Sequence, residues 1–303
     1  MNNLRIPLAP DLECSRIVAG VMKWGIWGHD LDTAGFDRLI KGSLDAGVST
    51  FDHADIYGHY TTEAAFGEVL RAEPALRSRM ELVTKCGIRL TTPNRPGNRV
   101  KAYEVSADYI RQSVETSLRN LATDYLDLLL IHRPTPLLDP DEVAEVLQAL
   151  MSAGKVRHVG VSNFTPSQFA LLNDRIHLVT NQVEISALAD FALIDGTLDQ
   201  CLRQRIKPMA WSPLGGGDFF GTPATDAARR LKTAFSQLRH QYGDATDDQL
   251  LLAWLLKHPA QILPVLGTGK LHRIEAAVAA LDIALNSQDW FIIWEAARGH
   301  EVA

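Results

Sequence analysis

The 303-residue sequence is poor in cysteine and has no long apolar run. Its three cysteines, Cys14, Cys86 and Cys201, are odd in number and widely spaced. This pattern argues against a disulfide scaffold and suits free thiols in a reducing compartment. The most apolar run, 250–256, is far shorter than the roughly 18 residues that a membrane span requires. Residues 1–5 lead into no apolar segment of the signal-peptide kind, so we expect a cytoplasmic protein outside the membrane.

Basic residues are also in the minority. Lys and Arg total 30 against 36 Asp and Glu, which gives a net charge of −6. A general nucleic-acid binder needs a basic face, and none is expected here. No Gly-x-Gly-x-x-Gly motif occurs at a first strand, so the sequence does not predict a Rossmann domain. No metal site is predicted either.

Short β-like runs alternate with helical patterns along the chain. The predicted strands lie at 18–21, 48–52, 81–85, 125–132, 158–161, 178–183, 208–211 and 262–266, and a helical pattern follows each of them. Such alternation predicts a parallel sheet with helices outside. Eight units without a compositional break predict an α/β fold of the (β/α)8 TIM-barrel type, with residues 1–303 forming a single domain. Residues 4–8 are predicted to add an N-terminal β-hairpin that closes the barrel floor.

Polar side chains of complementary chemistry end three successive predicted strands. Asp52 ends the second strand, Lys85 the third and His132 the fourth, and Tyr57 follows shortly after Asp52. The carboxyl ends of the strands in such a barrel meet at one rim, where sites are built. A buried lysine needs an anion, and a phenol with a pKa near 10 needs a nearby cation to act as an acid.

These requirements predict a role for each of the four side chains. Asp52 is predicted to hold the ammonium of Lys85. Lys85 is predicted to lower the pKa of Tyr57. Tyr57 then donates a proton to an oxygen that gains negative charge, and His132 provides a hydrogen bond to the same oxygen.

Six motifs, taken in order, resemble the aldo-keto reductase family over almost the whole chain. They are Phe51-Asp52-His53-Ala54-Asp55-Ile56-Tyr57-Gly58, Thr84-Lys85, Leu130-Ile131-His132, Gly160-Val161-Ser162-Asn163-Phe164, Asn181-Gln182-Val183-Glu184 and Trp211-Ser212-Pro213-Leu214-Gly215-Gly216-Gly217. The resemblance implies a (β/α)8 barrel, an NADPH cofactor and reversible carbonyl reduction. It also implies that the family's four catalytic residues correspond to Asp52, Tyr57, Lys85 and His132.

The later strand ends provide candidate cofactor contacts. Hydroxyl and amide groups there can fix the nicotinamide carboxamide, and Trp211 can stack on its ring. A glycine-rich turn lets backbone N–H groups approach the pyrophosphate. Lys270 and Arg273, at the start of a helix, form a cationic pocket for a 2′-phosphate, which favours NADP(H) over NAD(H). The predicted cofactor-binding set is Gly20, Met22, Ser162, Asn163, Gln182, Trp211, Ser212, Pro213, Leu214, Gly215, Gly216, Gly217, Gly267, Thr268, Gly269, Lys270 and Arg273.

Trp24 and Trp27, in the loop after the first strand, are predicted to wall the substrate pocket together with Tyr57 and His132. We expect a small-molecule carbonyl substrate, and a monomer or weak oligomer. Two other classes stay open. A nucleotide-sensing regulatory subunit, like the potassium-channel β subunits that resemble this family, would bind NADPH with little turnover. A phosphate-binding barrel isomerase or aldolase would use Lys85 as a Schiff base.

Overall fold

The computed structural model of the protein describes residues 4–217 and 225–303. The strands in these ranges are β1 (Arg5–Ala9), β2 (Leu12–Ser15), β3 (Val18–Gly20), β4 (Thr50–Asp52), β5 (Glu81–Cys86), β6 (Ile88–Arg89), β7 (Ala102–Tyr103), β8 (Leu126–Ile131), β9 (Val156–Ser162), β10 (Asn181–Glu184), β11 (Met209–Trp211) and β12 (Leu263–Leu266). Eight of them run parallel and close into a barrel in the order β10-β11-β12-β3-β4-β5-β8-β9. The predicted (β/α)8 barrel is confirmed. A single domain over 1–303 stays a prediction, because residues 1–3 and 218–224 lie outside the described ranges.

Helices cover the outside of the barrel. They are α1 (Thr33–Asp45), α2 (Tyr57–Tyr60), α3 (Thr62–Ala72), α4 (Ala107–Asn120), α5 (Pro140–Ser152), α6 (Pro166–Asn173), α7 (Thr197–Gln204), α8 (Asp226–Leu238), α9 (Asp247–Leu256), α10 (Leu271–Ala279) and α11 (Ser287–Arg298). Local chemistry sets several of their starts. At α6 the Thr165 hydroxyl accepts a hydrogen bond from the backbone N–H of Gln168, and Pro166 occupies the first helical position.

Strand burial and register bring the predicted polar residues to one end of the barrel. Every residue of β8 is buried, as expected for a strand covered on both faces. Asp52 pairs with Gly20 on one side and with Val83 on the other. Lys85 pairs with Leu130, two residues before His132. The ends of β4, β5 and β8 therefore lie beside one another at the same rim.

The N-terminal hairpin closes the opposite end of the barrel. Strands β1 and β2 pair antiparallel. Their side chains Ile6, Leu8 and Leu12 pack in one apolar cluster with barrel residues such as Val83 and Met209. Burial of this kind contributes about 25 cal/mol per Å² of apolar surface. The predicted floor is therefore confirmed.

Two elements differ from the sequence-based expectation. The long connection after β5 contains the antiparallel hairpin β6–β7, with Ile88 opposite Tyr103. Helix α11 was not predicted, and its residues Trp290 and Trp294 pack beside the second apolar cluster. Residues 218–224, in the connection after β11, lie outside the described residues. In the described ranges, no helix has both the length and the apolar character to cross a membrane.

We predict that Gly67→Ala destabilises the protein strongly. A Cβ added at Gly67 in α3 would lie 1.8 Å from the Asn120 carbonyl oxygen at the end of α4. The two helices must separate to relieve this overlap, so we expect a loss of about 3 kcal/mol in the free energy of unfolding. Urea denaturation measures it. Gly97→Ala is the matched control, because its added Cβ would meet nothing within 4 Å; equal stability of the two variants would contradict the packing described here.

Candidate active site

A buried ion pair occupies the ends of β4 and β5. The Lys85 ammonium donates to Asp52 Oδ2 at 2.6 Å and to the His53 carbonyl oxygen at 2.7 Å. The Lys85 and Asp52 side chains are 1% and 2% exposed. Burial opposes the charge on Lys85, but Asp52 and Tyr57 outweigh it and hold the pKa of Lys85 above its ordinary value. The predicted pairing is confirmed, and the lysine stays an ammonium, which speaks against its use as a Schiff-base nucleophile.

The third hydrogen bond of Lys85 goes to the phenol predicted to be the proton donor. Lys85 Nζ lies 3.3 Å from Tyr57 Oη. Burial raises the pKa of Tyr57, while the nearby Lys85 ammonium lowers it in part. The predicted lowering effect of Lys85 on the pKa of Tyr57 is confirmed, but burial outweighs it and the pKa lies above its ordinary value. The phenol therefore keeps its proton. Lys85 is placed to stabilise the phenolate that would form if the proton left.

His132 stands on the other side of Tyr57. The two rings lie 6.3 Å apart, edge to face. Burial holds the pKa of His132 well below its ordinary value, and the charges of Lys85, Arg133 and Lys101 add to the effect. The imidazole is therefore neutral and offers one donor and one acceptor nitrogen. Its Nδ1 is buried and has no hydrogen-bond partner among the described residues.

These groups open into a large cavity at the carboxyl ends of the strands. The cavity has a volume of about 700 Å3, within the usual range for small-molecule sites. Asp52, Tyr57 and His132 all line it. So do most of the predicted cofactor residues: Gly20, Met22, Ser162, Asn163, Gln182, Trp211, Ser212, Pro213, Leu214, Gly216, Gly217, Gly267, Thr268 and Arg273.

Comparison with known proteins gives a consistent result. The model of the aldo/keto reductase family matches residues 16–298. The chain belongs to this family. It is 48% identical over 300 residues to an uncharacterized oxidoreductase, YcsN, of Bacillus subtilis, covering 98% of this chain and 99% of that protein. It is 47% identical over 304 residues to a protein of Agrobacterium fabrum named 6-dehydroglucose reductase, covering 99% of each.

Solved structures of low identity share the fold. A glycerol dehydrogenase from Gluconobacter oxydans superimposes with a TM-score of 0.85 at 23% identity, covering 99% of this chain and 96% of the other. An aldo/keto reductase from Klebsiella pneumoniae, solved with NADP and acetate, has a TM-score of 0.75 at 24% identity, covering 95% and 93%. Both comparisons support the barrel architecture of this aldo/keto reductase.

Hydrogen bonds that the sequence did not predict join the expected cofactor residues to the ion pair. Gln182 Nε2 donates to Asp52 Oδ1 at 2.9 Å. Trp211 Nε1 donates to Asn163 Oδ1 at 2.9 Å, and Asn163 Nδ2 donates to Ser162 Oγ at 2.8 Å. Asn163 and Ser212 also have positive φ angles of 61° and 49°. Non-glycine residues in this strained region cluster at functional sites, and these two line the cavity.

The two tryptophans predicted to wall the substrate pocket have different positions. Trp24 is 0% exposed and packs against the rings of Phe51 and Phe66. Its indole Nε1 donates to the Thr268 carbonyl oxygen at 2.8 Å. The prediction for Trp24 is therefore wrong, since its ring is needed to fill the core. Trp27 does line the cavity, with its ring 6.2 Å from that of Tyr57.

Three predicted cofactor residues lie away from the cavity lining, and several unpredicted residues belong to it. Gly215, Gly269 and Lys270 do not line the cavity, whereas Arg273 does. The cavity walls that the sequence analysis missed include Ile88, Lys101, Tyr103 and Arg133. Two signals pointed to them: the basic character of the loop after β5, and the position of Arg133 directly after His132.

His53 follows Asp52 directly in the chain, and its burial makes the stability of the protein depend on pH. It is 0% exposed, its ring lies 4.5 Å from that of Phe66, and neither ring nitrogen has a hydrogen-bond partner among the described residues. Burial, with a smaller contribution from Lys85, lowers the pKa of His53 from 6.5 to about 3. The folded protein therefore binds this proton less readily than the unfolded chain, and stability decreases as the pH falls from about 6.5 towards 3.

We predict that His53→Leu weakens this pH dependence. As the pH falls from 7 to 5, the unfolded chain takes up a proton at His53 and the folded protein does not. This lowers the free energy of unfolding of the wild type by about 2 kcal/mol. The variant has no such group, so its stability should change by about 2 kcal/mol less over the same interval. Urea denaturation at the two pH values gives the difference. An identical pH dependence in the two proteins would show that His53 is not held neutral by the fold.

Proposed function

We propose that this protein is an NADPH-dependent oxidoreductase that reduces aldehydes or ketones to alcohols, with Tyr57 as the proton donor. The observation that carries the proposal is the position of Lys85 Nζ, 2.6 Å from the Asp52 carboxylate and 3.3 Å from the Tyr57 hydroxyl. Membership in the aldo/keto reductase family supports it, as does the NADP bound in the structural neighbour from Klebsiella pneumoniae.

The residues that line the cavity fit a phosphorylated dinucleotide. Ser162, Asn163 and Gln182 offer hydroxyl and amide groups for a carboxamide, and Trp211 offers a flat ring. Gly217 leaves its backbone uncovered, since a Cβ there would meet nothing within 4 Å. In the proposed arrangement Arg273, near the start of α10, binds the 2′-phosphate. When bound, NADPH supplies the hydride for the carbonyl carbon.

Each catalytic side chain has one task in the proposed reaction. Tyr57 donates its proton to the carbonyl oxygen as negative charge develops there. Lys85 stabilises the resulting phenolate, and Asp52 keeps the lysine charged and in place. His132, being neutral, donates a hydrogen bond to the same oxygen without adding a second acidic group. Gln182, bonded to Asp52, fixes the carboxylate relative to the cofactor side.

The substrate belongs to the class of small carbonyl compounds in this proposal. A 47% identical relative carries the name 6-dehydroglucose reductase, so sugar-derived aldehydes belong among the first compounds to test. A cytoplasmic location and a monomeric or weakly oligomeric state stay predictions.

We predict that Tyr57→Phe reduces turnover by at least about 100-fold, because the general acid is lost. The affinity for NADPH should be unchanged, since the phenol acts on the substrate oxygen. NADPH oxidation with a panel of aldehydes measures the first quantity, and quenching of tryptophan fluorescence by NADPH measures the second.

Tyr60→Phe is the matched control for that experiment. Tyr60 lies in the same segment, but its hydroxyl bonds to the Ile88 and Leu90 backbone and its ring does not line the cavity. Turnover should stay near the wild-type rate in this variant. Normal turnover in Tyr57→Phe would rule out the proton-donor role. Tight NADPH binding without turnover in the wild type would favour a nucleotide-sensing subunit instead.

We predict that Arg273→Gln lowers the preference for NADPH over NADH. Arg273 lines the cavity, and loss of a charged hydrogen bond to the 2′-phosphate should raise the KM for NADPH by about tenfold. The KM for NADH should change little, because NADH lacks this phosphate, and it serves as the internal control. Steady-state kinetics with both cofactors test the prediction, and a parallel rise in both KM values would contradict it.

A further inference from the structure

Three cations line the cavity without a role in the proposed reaction, namely Lys23, Lys101 and Arg133, and the charges of Lys101 and Arg133 act on the catalytic His132. Lys101 precedes β7, whose Tyr103 lines the same wall, and Arg133 directly follows His132. Lys101 is exposed and Arg133 is half-buried. The Arg133 guanidinium lies 5.8 Å from the centre of the Trp211 ring. Both cations therefore face the volume next to Tyr57 and His132.

The charge of these two residues is not balanced within the cavity. In the ranges 4–217 and 225–303, neither forms an ion pair or a hydrogen bond. Among the described residues, two carboxylates line the cavity, Asp52 and Asp248. Asp52 is bonded to Lys85, and Asp248 accepts from Thr246 at the start of α9. Burial raises the pKa of Glu184, while the charge of Arg133 acts to lower it. Glu184 is exposed, however, and does not line the cavity.

The field of these cations already reaches the catalytic histidine. After burial and Lys85, the charges of Arg133 and Lys101 contribute to holding the pKa of His132 low. They are thus near enough to act on a molecule whose carbonyl lies between Tyr57 and His132. The chain as a whole has a net charge of −6, so an attraction of anions to the cavity would come from these nearby cations and not from the overall charge.

We propose that Lys101 and Arg133 determine substrate specificity by binding an oxyanion, a carboxylate or a phosphate, that the substrate carries at some distance from its carbonyl group. The proposal rests on the proposed reductase activity. It means that the preferred substrates are anionic aldehydes or ketones. A guanidinium and an ammonium both form strong hydrogen bonds to such groups. A neutral substrate would cover the half-buried Arg133 without pairing it, which is unfavourable.

Two pairs of aldehydes test the proposal and separate the two kinds of anion. We compare 4-oxobutanoate with butanal, and D-glyceraldehyde 3-phosphate with D-glyceraldehyde, in the NADPH-oxidation assay. The anionic member of at least one pair should have a kcat/KM about tenfold or more above its neutral partner. The double variant Lys101→Gln, Arg133→Gln should remove that preference, so that the ratio of kcat/KM for the anionic aldehyde to kcat/KM for the neutral aldehyde falls to about one. The preference should also decrease as salt is added, because Lys101 is exposed.

Arg99→Gln is the matched control. Arg99 carries the same charge on the same loop, two residues from Lys101, but it does not line the cavity. This variant should keep the full preference for the anionic aldehyde. A change of more than about threefold in its preference would overturn the assignment to the two cavity residues, since a general effect of charge would then be at work.

Three results would overturn the inference, and they differ from failure of the proposed function. One is an equal kcat/KM for both members of each pair in the wild type. Another is a weaker NADPH affinity in the double variant, which would assign the two cations to the cofactor. The last uses calorimetry on the NADP+ complex: 4-hydroxybutanoate binding no better than 1-butanol, together with glycerol 3-phosphate binding no better than glycerol, would overturn it without any turnover. Absence of NADPH oxidation with every aldehyde would contradict the proposed function itself, and the calorimetric comparison would still decide the charge preference.

Discussion

A lysine ammonium held inside the barrel by a single carboxylate is the interaction on which the rest of the site depends. Lys85 has its three protons directed at Asp52, the His53 carbonyl and Tyr57. A charge so deeply buried is tolerated only with good partners, and removal of one partner of such a pair typically costs about 3–5 kcal/mol. The ends of β4 and β5 must therefore stay in register, and the closed barrel with its hairpin floor provides that constraint. Burial raises the pKa of Tyr57 and the Lys85 ammonium lowers it in part, so in the proposed reaction Lys85 would stabilise the phenolate that Tyr57 leaves behind.

The cofactor side and the catalytic side are joined through the ion pair. Gln182 donates to the second oxygen of Asp52, so a residue expected at the nicotinamide also fixes the carboxylate that holds Lys85. The hydrogen bond from Trp211 to Asn163 works in a similar way. The Trp211 side chain, at the end of β11, orients the Asn163 amide just after β9. These bonds span strands that are distant in sequence and adjacent in the barrel. Precise placement of a few polar groups in this way contributes more to catalysis than the number of contacts.

Sequence reasoning predicted the parts of this protein that follow from period, order and strand ends. Eight alternating units predicted the barrel, and the coincidence of Asp52 and Lys85 on neighbouring strand ends predicted their pairing. Loop residues were harder, because a loop aromatic such as Trp24 packs in the core or lines a pocket according to tertiary contacts that no local pattern encodes. The hairpin β6–β7 has two short strands in a loop rich in proline and asparagine, so its pairing left almost no periodic signal. The sign of the pKa shift at Tyr57 depends on the balance of burial and charge, which only the three-dimensional arrangement gives.

In the proposed reaction the ammonium of Lys85 makes the Tyr57 phenol an effective proton donor. The most direct test is the rate of NADPH oxidation in the double variant Asp52→Asn, Lys85→Met, which removes both charges and leaves no lone buried ion. Carbonyl reduction should fall by at least about 100-fold, while the fold and the affinity for NADPH should be kept. Reduction at the wild-type rate in a folded double variant would show that Tyr57 works without the cation.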